Sequence, residues 1–272
     1  MDTLQGKTIF ISGGTRGIGE AIILKAARDG ANIAIAAKTA EPHPKLPGTL
    51  YTVAEAIKAA GGQALPLQVD IRNEVAVQAA VSETAEHFGG IDICINNASA
   101  LHLAGITQTV MKRFDLMQQI NVRGTYAVSQ ACLPHLLKAQ NPHILTLSPP
   151  INLDAKWFKD FGPYTMSKYA MSLCAMSLAE EMRAQGVASN ALWPKTMVAT
   201  AAVTGIKGLD LNMARKVDIM ADAAYAILTK DSKICTGNFF IDEEVLKEEG
   251  ISDFDRYAIN PDYELYPDLF LN

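Results

Sequence analysis

"TIFISGGTRGIG", Thr8–Gly19, joins an apolar run to a turn with glycine at several spaced positions. The run TIFIS has the β-branched and aromatic side chains that favour a buried strand. Gly13, Gly17 and Gly19 follow it, and the next apolar pattern predicts a helix that Gly30 ends. Because glycine has no Cβ, such a turn brings backbone N–H groups close to a pyrophosphate at a helix N-terminus. A strand, a glycine turn and a helix in this order predict a dinucleotide site.

Outward from this stretch, short apolar runs alternate with longer helical patterns. The further predicted strands are Asn32–Ala36, Ala64–Val69, Ile91–Asn96, His143–Leu147, Val187–Leu192 and Asn238–Ile241. The predicted helices are Gly17–Asp29, Tyr51–Ala60, Glu74–Phe88, Thr109–Lys138, Tyr164–Gln185 and Val217–Thr229. Repeated β-α-β units with right-handed crossovers predict an α/β fold. We expect a Rossmann-type doubly wound parallel sheet of about seven strands with helices on both faces.

We expect residues 1–272 to form a single dinucleotide-binding domain, in which residues 242–272 are an acidic C-terminal extension. The proline-rich Glu41–Gly48 is predicted to be a loop within that domain, because the alternation resumes after it. The extension is irregular in pattern. A solvated end, a cover over the active site and an arm onto a neighbouring subunit are all compatible with it.

Composition excludes several classes of protein. The net charge is −5 with no basic block, which argues against a nucleic-acid partner. Apolar runs such as Ile33–Ala37 are too short to span a bilayer, and a first strand near Lys7 leaves no room for a signal peptide. The four cysteines form no CxxC pair, so we expect buried free thiols, no metal site and a cytoplasmic location.

The choice of cofactor is predicted from the end of the second strand. NAD binders usually place an acidic side chain there for the adenosine ribose, but this sequence has Lys38. Arg16 lies in the glycine turn, and two cations can pair with a 2′-phosphate. The pattern favours NADP(H) over NAD(H). The alternative is that Lys38 is an ordinary solvated lysine.

Polar residues also follow the third and fourth strands. Asp70 comes after the third, where adenine would lie, and Asn96–Ser99 ends the fourth at the ligand-binding edge. The asparagine pair is equally compatible with direct cofactor contact and with hydrogen bonds that hold neighbouring loops together.

Tyr164 and Lys168 form a YxxxK pair one helical turn apart on the same face. The pattern also occurs by chance, and its position at the start of the helix after the fifth strand gives it weight. A lysine cation and a cationic nicotinamide would lower the pKa of the tyrosine from about 10. That arrangement moves a proton to or from a substrate oxygen while hydride moves at carbon.

Taken together, the sequence resembles the short-chain dehydrogenase/reductase family. The motifs GGTRGIG, VDI, NNAS, INVRGT, YTMSK and LWPKT occur in the family's order. Segments such as LSPP, RKVDIMADAAY and TGNFFIDEEVLKEEGI resemble its hydroxysteroid dehydrogenase-like branch.

The resemblance implies roles for individual residues. Tyr164 would be the acid/base, Lys168 would hold the nicotinamide ribose, and Asn121 would hold a water in a proton relay. Ser148 is the candidate for the catalytic serine. The residues implied in cofactor binding are Gly13, Thr15, Arg16, Gly17, Ile18, Gly19, Lys38, Asp70, Ile71, Asn97, Ala98, Lys168, Pro194 and Thr196.

The sequence departs from the family pattern at several positions. Ser99 replaces a glycine, and Lys195 replaces the glycine after Pro194, so that a cation lies near the nicotinamide pocket or turns outward. The usual catalytic serine position holds Pro149, which offers neither a hydroxyl nor an N–H. Ser148 stands one position earlier and could act as the donor if the loop takes a different path. Otherwise Asn152 or a water would polarise the carbonyl.

We therefore expect an NADP(H)-dependent oxidoreductase that interconverts an alcohol and a carbonyl. The apolar cap predicted at Ile206–Ala214 suggests a fatty-acyl or steroid-like substrate, although a lid needs apolar residues simply to close. The alternative is an NADP(H)-binding regulatory protein with little redox turnover; epimerase or lyase chemistry is a further one. The resemblance also implies a homo-oligomer, a dimer or a tetramer.

Overall fold

The computed structural model describes residues 3–44, 47–204, 206 and 208–271. Its strands are β1 (Thr8–Ser12), β2 (Asn32–Ala37), β3 (Gln63–Gln68), β4 (Ile93–Asn96), β5 (His143–Thr146), β6 (Ala188–Trp193) and β7 (Phe239–Ile241). All pair in parallel, in the order β3-β2-β1-β4-β5-β6-β7. The predicted doubly wound parallel sheet is confirmed.

The α-helices are α1 (Gly17–Ala27), α2 (Leu50–Ala60), α3 (Glu74–Phe88), α4 (Met111–Met117), α5 (Thr125–Leu136), α6 (Lys156–Lys159), α7 (Gly162–Glu181), α8 (Asp218–Leu228) and α9 (Asp242–Glu248). A π-helical segment, Gln118–Gly124, joins α4 to α5. Short 3₁₀ helices occupy Arg183–Gln185, Leu211–Met213 and Asp255–Tyr257.

Each face of the sheet has its own apolar core. Buried side chains of α1, α2 and α8 pack on one face, and those of α3, α5 and α7 pack on the other. The strand order reverses between β1 and β4, which lie side by side. In such sheets ligands bind at the carboxyl ends of the strands beside this switch point.

Two predicted regions differ from the structure. The single helix expected over Thr109–Lys138 is divided by the π-helical segment into α4 and α5. The prediction of irregular structure after Ile241 is also wrong for the first residues, because α9 begins at Asp242. Asp242, Glu243 and Glu244 occupy its first turn, where negative charge is favoured by the helix dipole.

The four cysteines are free, as predicted, and three of them are buried. Among the described residues, no helix has the length and apolar character needed to cross a membrane. Lys45 and Leu46 of the predicted proline-rich loop lie outside the described residues, as does Lys207 of the predicted cap.

Candidate active site

The glycine turn between β1 and α1 is packed closely against the end of β4. Gly13 has a φ of +77°, and a Cβ there would lie 2.8 Å from the Cα of Ala98. Asn97 Nδ2 donates to the Gly13 carbonyl at 2.6 Å, and a Cβ at Gly19 would overlap the Asn97 side chain. The asparagine therefore fixes the turn, as one of the two alternatives predicted. Only glycine fits these positions.

Charged side chains meet at the ends of β2 and β3. Lys38 Nζ lies 3.1 Å from the Asp70 carboxylate. Arg72 donates to both carboxylate oxygens of Asp70, with Nε at 2.9 and 3.0 Å from them. These hydrogen bonds, chiefly from Arg72, hold the pKa of Asp70 well below its usual range. Arg16 Nη2 reaches the same edge and donates to Thr39 Oγ1 at 2.9 Å.

Arg72 was missed by the sequence analysis. It directly follows the quoted VDI motif, two residues beyond Asp70, and that spacing was the available signal. The structure places it at the same edge as Lys38, the expected site of the adenosine ribose. Two cations, Lys38 and Arg72, therefore pair with the Asp70 carboxylate, and a third, Arg16, lies at the same edge through its bond to Thr39.

Other predicted cofactor residues also lie at the carboxyl edge. Ile71 packs beneath Gly124, where a Cβ would approach its Cδ1 to 2.5 Å. Pro194 and Thr196 follow β6. Thr196 Oγ1 is buried and has no hydrogen-bond partner within the described chain, so it is placed to meet a polar group of a ligand.

Tyr164 and Lys168 lie on the first turns of α7, and both are buried. Lys168 Nζ donates to the Leu147 carbonyl at 2.6 Å and lies 5.0 Å from the centre of the Trp193 ring. Burial lowers the pKa of Lys168 to about 7, and the charge of Asp268 opposes that change. Burial thus opposes the charged form of the ammonium group, and the carboxylate of Asp268 favours it.

The pKa of Tyr164 is raised above its ordinary value, first by burial and then by the negative charge of Asp268. This direction is opposite to the one expected from the lysine alone, because desolvation of a phenolate is the largest contribution. Burial and the charge of Asp268 therefore favour the protonated form of the Tyr164 hydroxyl. A protonated hydroxyl is the form that can donate to a carbonyl oxygen.

Asn121 lies in the π-helical segment and is completely buried. Its amide nitrogen donates to the Ala100 carbonyl at 3.0 Å and to Ser167 Oγ at 2.9 Å, while its oxygen accepts from Ala100 N at 2.7 Å. Ser167 Oγ in turn donates to the Tyr164 carbonyl at 2.8 Å. Asn121 therefore connects the loop after β4 to the start of α7.

Ser148 is buried at the end of β5, and its hydroxyl has no partner within the described chain. Pro149 directs its carbonyl oxygen to Ser172 Oγ at 2.6 Å, which fixes the backbone path after the strand. Asn152, the alternative donor, uses its amide nitrogen on the Phe270 carbonyl at 3.0 Å. Of the two side chains, Ser148 is the one with an uncommitted donor.

Lys195 turns outward, the second of the two predicted alternatives. Its Nζ lies 2.7 Å from Glu243 Oε1 on α9, and its backbone nitrogen donates to Asp242 Oδ1 at 2.9 Å. Glu243 also pairs with Arg215 at 2.7 Å and with Lys247 at 2.6 Å. The lysine therefore belongs to an ionic cluster behind the site.

Two residues of the C-terminal region also belong to the site and were missed by the sequence analysis. Asp268 acts electrostatically on both Tyr164 and Lys168. Phe270 is completely buried, and its ring centre lies 6.2 Å from that of Tyr164. Both stand about a hundred residues beyond the YxxxK pair, and no local signal in the sequence relates them to it. Of the predicted alternatives, the position of Phe270 favours a cover over the candidate active site.

The residues present fit a nicotinamide dinucleotide. Glycine at positions 13 and 19 lets the turn pack against Ala98 and Asn97 at the N-terminus of α1, where backbone N–H groups suit a pyrophosphate, and the cationic edge suits a further phosphate. Ser148 and Thr196, which follow β5 and β6, supply buried hydroxyls without partners in the described chain. Tyr164 and Lys168 complete a site with the groups needed for proton transfer beside hydride transfer.

Sequence comparison agrees with this geometry. The profile of the short chain dehydrogenase family matches residues 7–208. The chain belongs to that family. It is similar to hydroxysteroid dehydrogenase-like protein 2 of Danio rerio, with 58% identity over 270 residues, which are 99% of this chain and 65% of that protein. The Homo sapiens protein of the same name is 56% identical and is covered over 64% of its length. The chain therefore spans about two thirds of these relatives.

Solved structures show the same fold. A short chain dehydrogenase of Mycobacterium thermoresistibile has 56% identity and a TM-score of 0.94, over 99% of this chain and 96% of that one. The Mycobacterium avium carveol dehydrogenase, in complex with NAD, has 22% identity and a TM-score of 0.76, over 89% and 97%. At that identity the likeness concerns the fold alone. The family and its hydroxysteroid dehydrogenase-like branch, predicted from the motifs, are confirmed.

Proposed function

We propose that this protein is an NADP(H)-dependent oxidoreductase that interconverts an alcohol and a carbonyl on an apolar substrate. The observation that carries the proposal is the buried Tyr164–Lys168 pair on α7. The pair lies at the same edge of the sheet as the glycine turn. Residues 1–272 act in this proposal as one dinucleotide-binding oxidoreductase domain, with residues 242–272 as its acidic C-terminal extension.

The proposed mechanism assigns one task to each side chain. A bound nicotinamide supplies or accepts the hydride. Tyr164 donates its hydroxyl proton to the carbonyl oxygen in reduction and recovers it in oxidation. Lys168 holds the nicotinamide ribose, and its charge favours the phenolate that forms. Ser148 donates a hydrogen bond to the substrate oxygen. Asn121 holds the loop after β4 against the start of α7. A water molecule bound beside it would return protons to Tyr164.

Three cations support the preference for NADP(H). Lys38 lies at the end of β2, Arg16 reaches the same place from the glycine turn, and Arg72 adds a guanidinium beyond the end of β3. The Asp70 carboxylate neutralises part of this charge, but the net charge of the three cations and this carboxylate remains positive. A 2′-phosphate would exchange for the carboxylate as the partner of Lys38, which is 60% exposed and free to move.

The aromatic and apolar walls around Tyr164 support an apolar substrate. Met117, Trp193 and Ile241 pack with it in a buried cluster, together with Phe270. A cofactor-binding protein with little turnover is not favoured for a member of this family, whose Tyr164 and Lys168 are both in place.

Hydride transfer is the measurement that tests the proposal, because a purely regulatory protein would also bind the cofactor. A panel of aliphatic, aromatic and steroid-like carbonyl compounds is assayed with NADPH and with NADH. We expect turnover, and we expect Tyr164→Phe to lower kcat by about 10²–10⁴-fold with NADPH affinity retained. Tyr263→Phe, at an exposed tyrosine outside the helices proposed for assembly, is the matched control. Substantial activity of Tyr164→Phe would refute the assigned acid/base.

The proposal includes a homo-oligomer formed through α5 and α7. These helices expose apolar side chains to solvent: Tyr126, Met166, Leu173 and Met176. Aromatic residues and methionine are enriched at subunit interfaces, and these exposed side chains support that use of the two helices. A cytoplasmic location is the accompanying prediction.

A further inference from the structure

The segment Tyr266–Leu271, here called the C-terminal latch, is anchored beside the end of β6. Met197 N donates to the Tyr266 carbonyl at 2.8 Å, and Asp268 N donates to the Lys195 carbonyl at 3.1 Å. These bonds pair the latch with the backbone that leaves the sheet at its carboxyl edge. The latch is therefore held at the same edge as the catalytic pair.

Beyond this anchor, the latch inserts Phe270 into an aromatic cluster. The Phe270 ring is completely buried. Five rings surround it, with centres between 5.2 and 6.3 Å away: those of Trp157, Phe161, Tyr164, Tyr169 and Trp193. Offset and edge contacts at such distances are favourable for aromatic pairs. The ring therefore fills the space on one side of the Tyr164 side chain.

The backbone of the latch is strained at the same residue. Phe270 has a φ of +73°, in the left-handed region that bulky side chains rarely adopt. The conformation is held by the ring cluster and by Asn152 Nδ2, which donates to the Phe270 carbonyl at 3.0 Å. Such strain persists only where surrounding contacts determine it, and it is found at ligand clamps and switches.

Tyr164 is only 6% exposed beneath this cover, although the proposed reaction needs its hydroxyl to meet a substrate oxygen. A substrate with a bulky apolar group beside its carbonyl therefore competes with the Phe270 ring for space. A slender substrate needs less of that space. The latch thereby links the size of the substrate to the position of a single side chain.

We propose that Phe270 is a specificity-determining residue: its ring is the apolar wall of the substrate site beside Tyr164, and it selects against bulky groups next to the reacting carbonyl. The inference rests on the proposed function, because it deepens the description of the same site. It assigns the substrate class as carbonyl compounds whose apolar part is slender at the reacting carbon.

Substrate pairs test the inference in the 272-residue chain with NADPH. We expect Phe270→Ala to raise the ratio of kcat/KM for cyclohexanecarbaldehyde to that for propanal by about tenfold or more, which is the usual scale for apolar pocket contacts. Phe270→Leu should give a smaller rise, and it keeps the test valid if the alanine variant is poorly folded. Tyr263→Ala changes an exposed aromatic residue just before the latch and should leave the ratio unchanged. An unchanged ratio in both Phe270 variants overturns the inference.

Binding supplies a readout that does not depend on turnover. Both tryptophans of the chain, Trp157 and Trp193, contact Phe270, so intrinsic fluorescence reports on the latch. We expect acrylamide to quench Phe270→Ala more strongly than the parent, and the unreactive cyclohexanecarboxamide to bind more tightly to the variant. These results without turnover of any carbonyl would refute the proposed function but support Phe270 as the wall. Equal quenching and equal binding in parent and variant would overturn the wall, whatever the turnover.

Discussion

Lys168 is a buried cation whose ammonium group contacts a carbonyl oxygen, a thioether and an indole ring, all of them uncharged. Asp268 is the carboxylate that acts on it from the C-terminal latch. Asp268 is partly exposed as a residue, but burial of its carboxyl group raises its pKa to about 7. The charge state of the proposed catalytic pair, Tyr164 and Lys168, thus depends on a residue that the YxxxK motif does not contain.

Replacing Asp268 by Asn is expected to move the alkaline limb of the pH profile of kcat/KM to lower pH, by about one unit. The negative charge of Asp268 raises the pKa of both Lys168 and Tyr164, so its removal lowers both. Reduction needs both groups protonated, and activity is lost as pH rises through these values. The profile for carbonyl reduction is measured for the parent, for Asp268→Asn and for Asp262→Asn as an exposed control. A limb that stays in place, or moves upward, contradicts the assignment.

Lys38→Asp is expected to reverse the preference between NADPH and NADH. A carboxylate would repel a 2′-phosphate and accept hydrogen bonds from ribose hydroxyls, and charged hydrogen bonds of this kind are worth about 10–100-fold in affinity. Dissociation constants for both cofactors are measured by fluorescence titration. Lys58→Asp, at an exposed lysine of α2, controls for the change of net charge. A parent protein with equal affinity for the two cofactors would refute the predicted preference.

Ser148→Ala is expected to lower kcat by about 10²–10³-fold with little change in NADPH affinity. The Ser148 hydroxyl is buried without a partner in the described chain, while the Asn152 amide is engaged with Phe270. Steady-state kinetics are compared with Ser82→Ala, at an exposed serine of α3. If Ser148→Ala stays within a few-fold of the parent while Tyr164→Phe is inactive, another group polarises the carbonyl.

At the scale of the elements, the π-helical segment between α4 and α5 explains how Asn121 reaches the site. A π turn adds a residue to the helical repeat, and such segments often occur at functional positions. The Asn121 side chain thereby meets the backbone of Ala100 on one side and Ser167 on the other. At its end, Gly124 packs against Ile71 of the loop after β3.

Gly124→Ala is expected to lower the free energy of unfolding by about 1–3 kcal/mol, because the added Cβ would approach Ile71 Cδ1 to 2.5 Å. Denaturant unfolding of the parent and the variant measures the change. Gly162→Ala is the matched control, since a Cβ at this helical glycine meets nothing within 4 Å. Equal stability of Gly124→Ala and the parent would show that this contact is not tight in solution.

At the scale of the whole molecule, the proposed active site lies at one edge of the sheet, and the surface proposed for assembly lies on α5 and α7. Leu173 and Met176 on α7 are 54% and 42% exposed. The same helix carries Tyr164 and Lys168 at its start. Assembly through α7 would therefore brace the helix that positions the catalytic pair.

Leu173→Glu is expected to convert the proposed dimer or tetramer into smaller species, because a buried carboxylate without a partner is costly at an interface. Size-exclusion chromatography with light scattering measures the mass of the parent and the variant. Val75→Glu places the same charge on the exposed side of α3 and should leave the mass unchanged. A parent protein that is monomeric at micromolar concentration would contradict the predicted interface.

The sequence by itself determined the α/β fold, the glycine turn and the YxxxK pair. These features depend on local periodicity: the spacing of apolar residues defines strands and helices, and four residues separate Tyr164 from Lys168 on one helix face. The carboxyl edge of a parallel sheet then places them together, because every crossover returns the chain to the same side. Lys38 was predictable for the same reason, since it directly follows β2.

Only the tertiary structure decided the environment of these residues. The pairing of Asp70 with Lys38 and Arg72, the outward turn of Lys195 to Glu243 and the cover of Phe270 over Tyr164 depend on the paths of loops. Loop paths are set by packing and hydrogen bonds between residues far apart in the chain, which have no period to read. The direction of the Tyr164 pKa shift followed from that packing, because burial outweighed the charge of the neighbouring lysine.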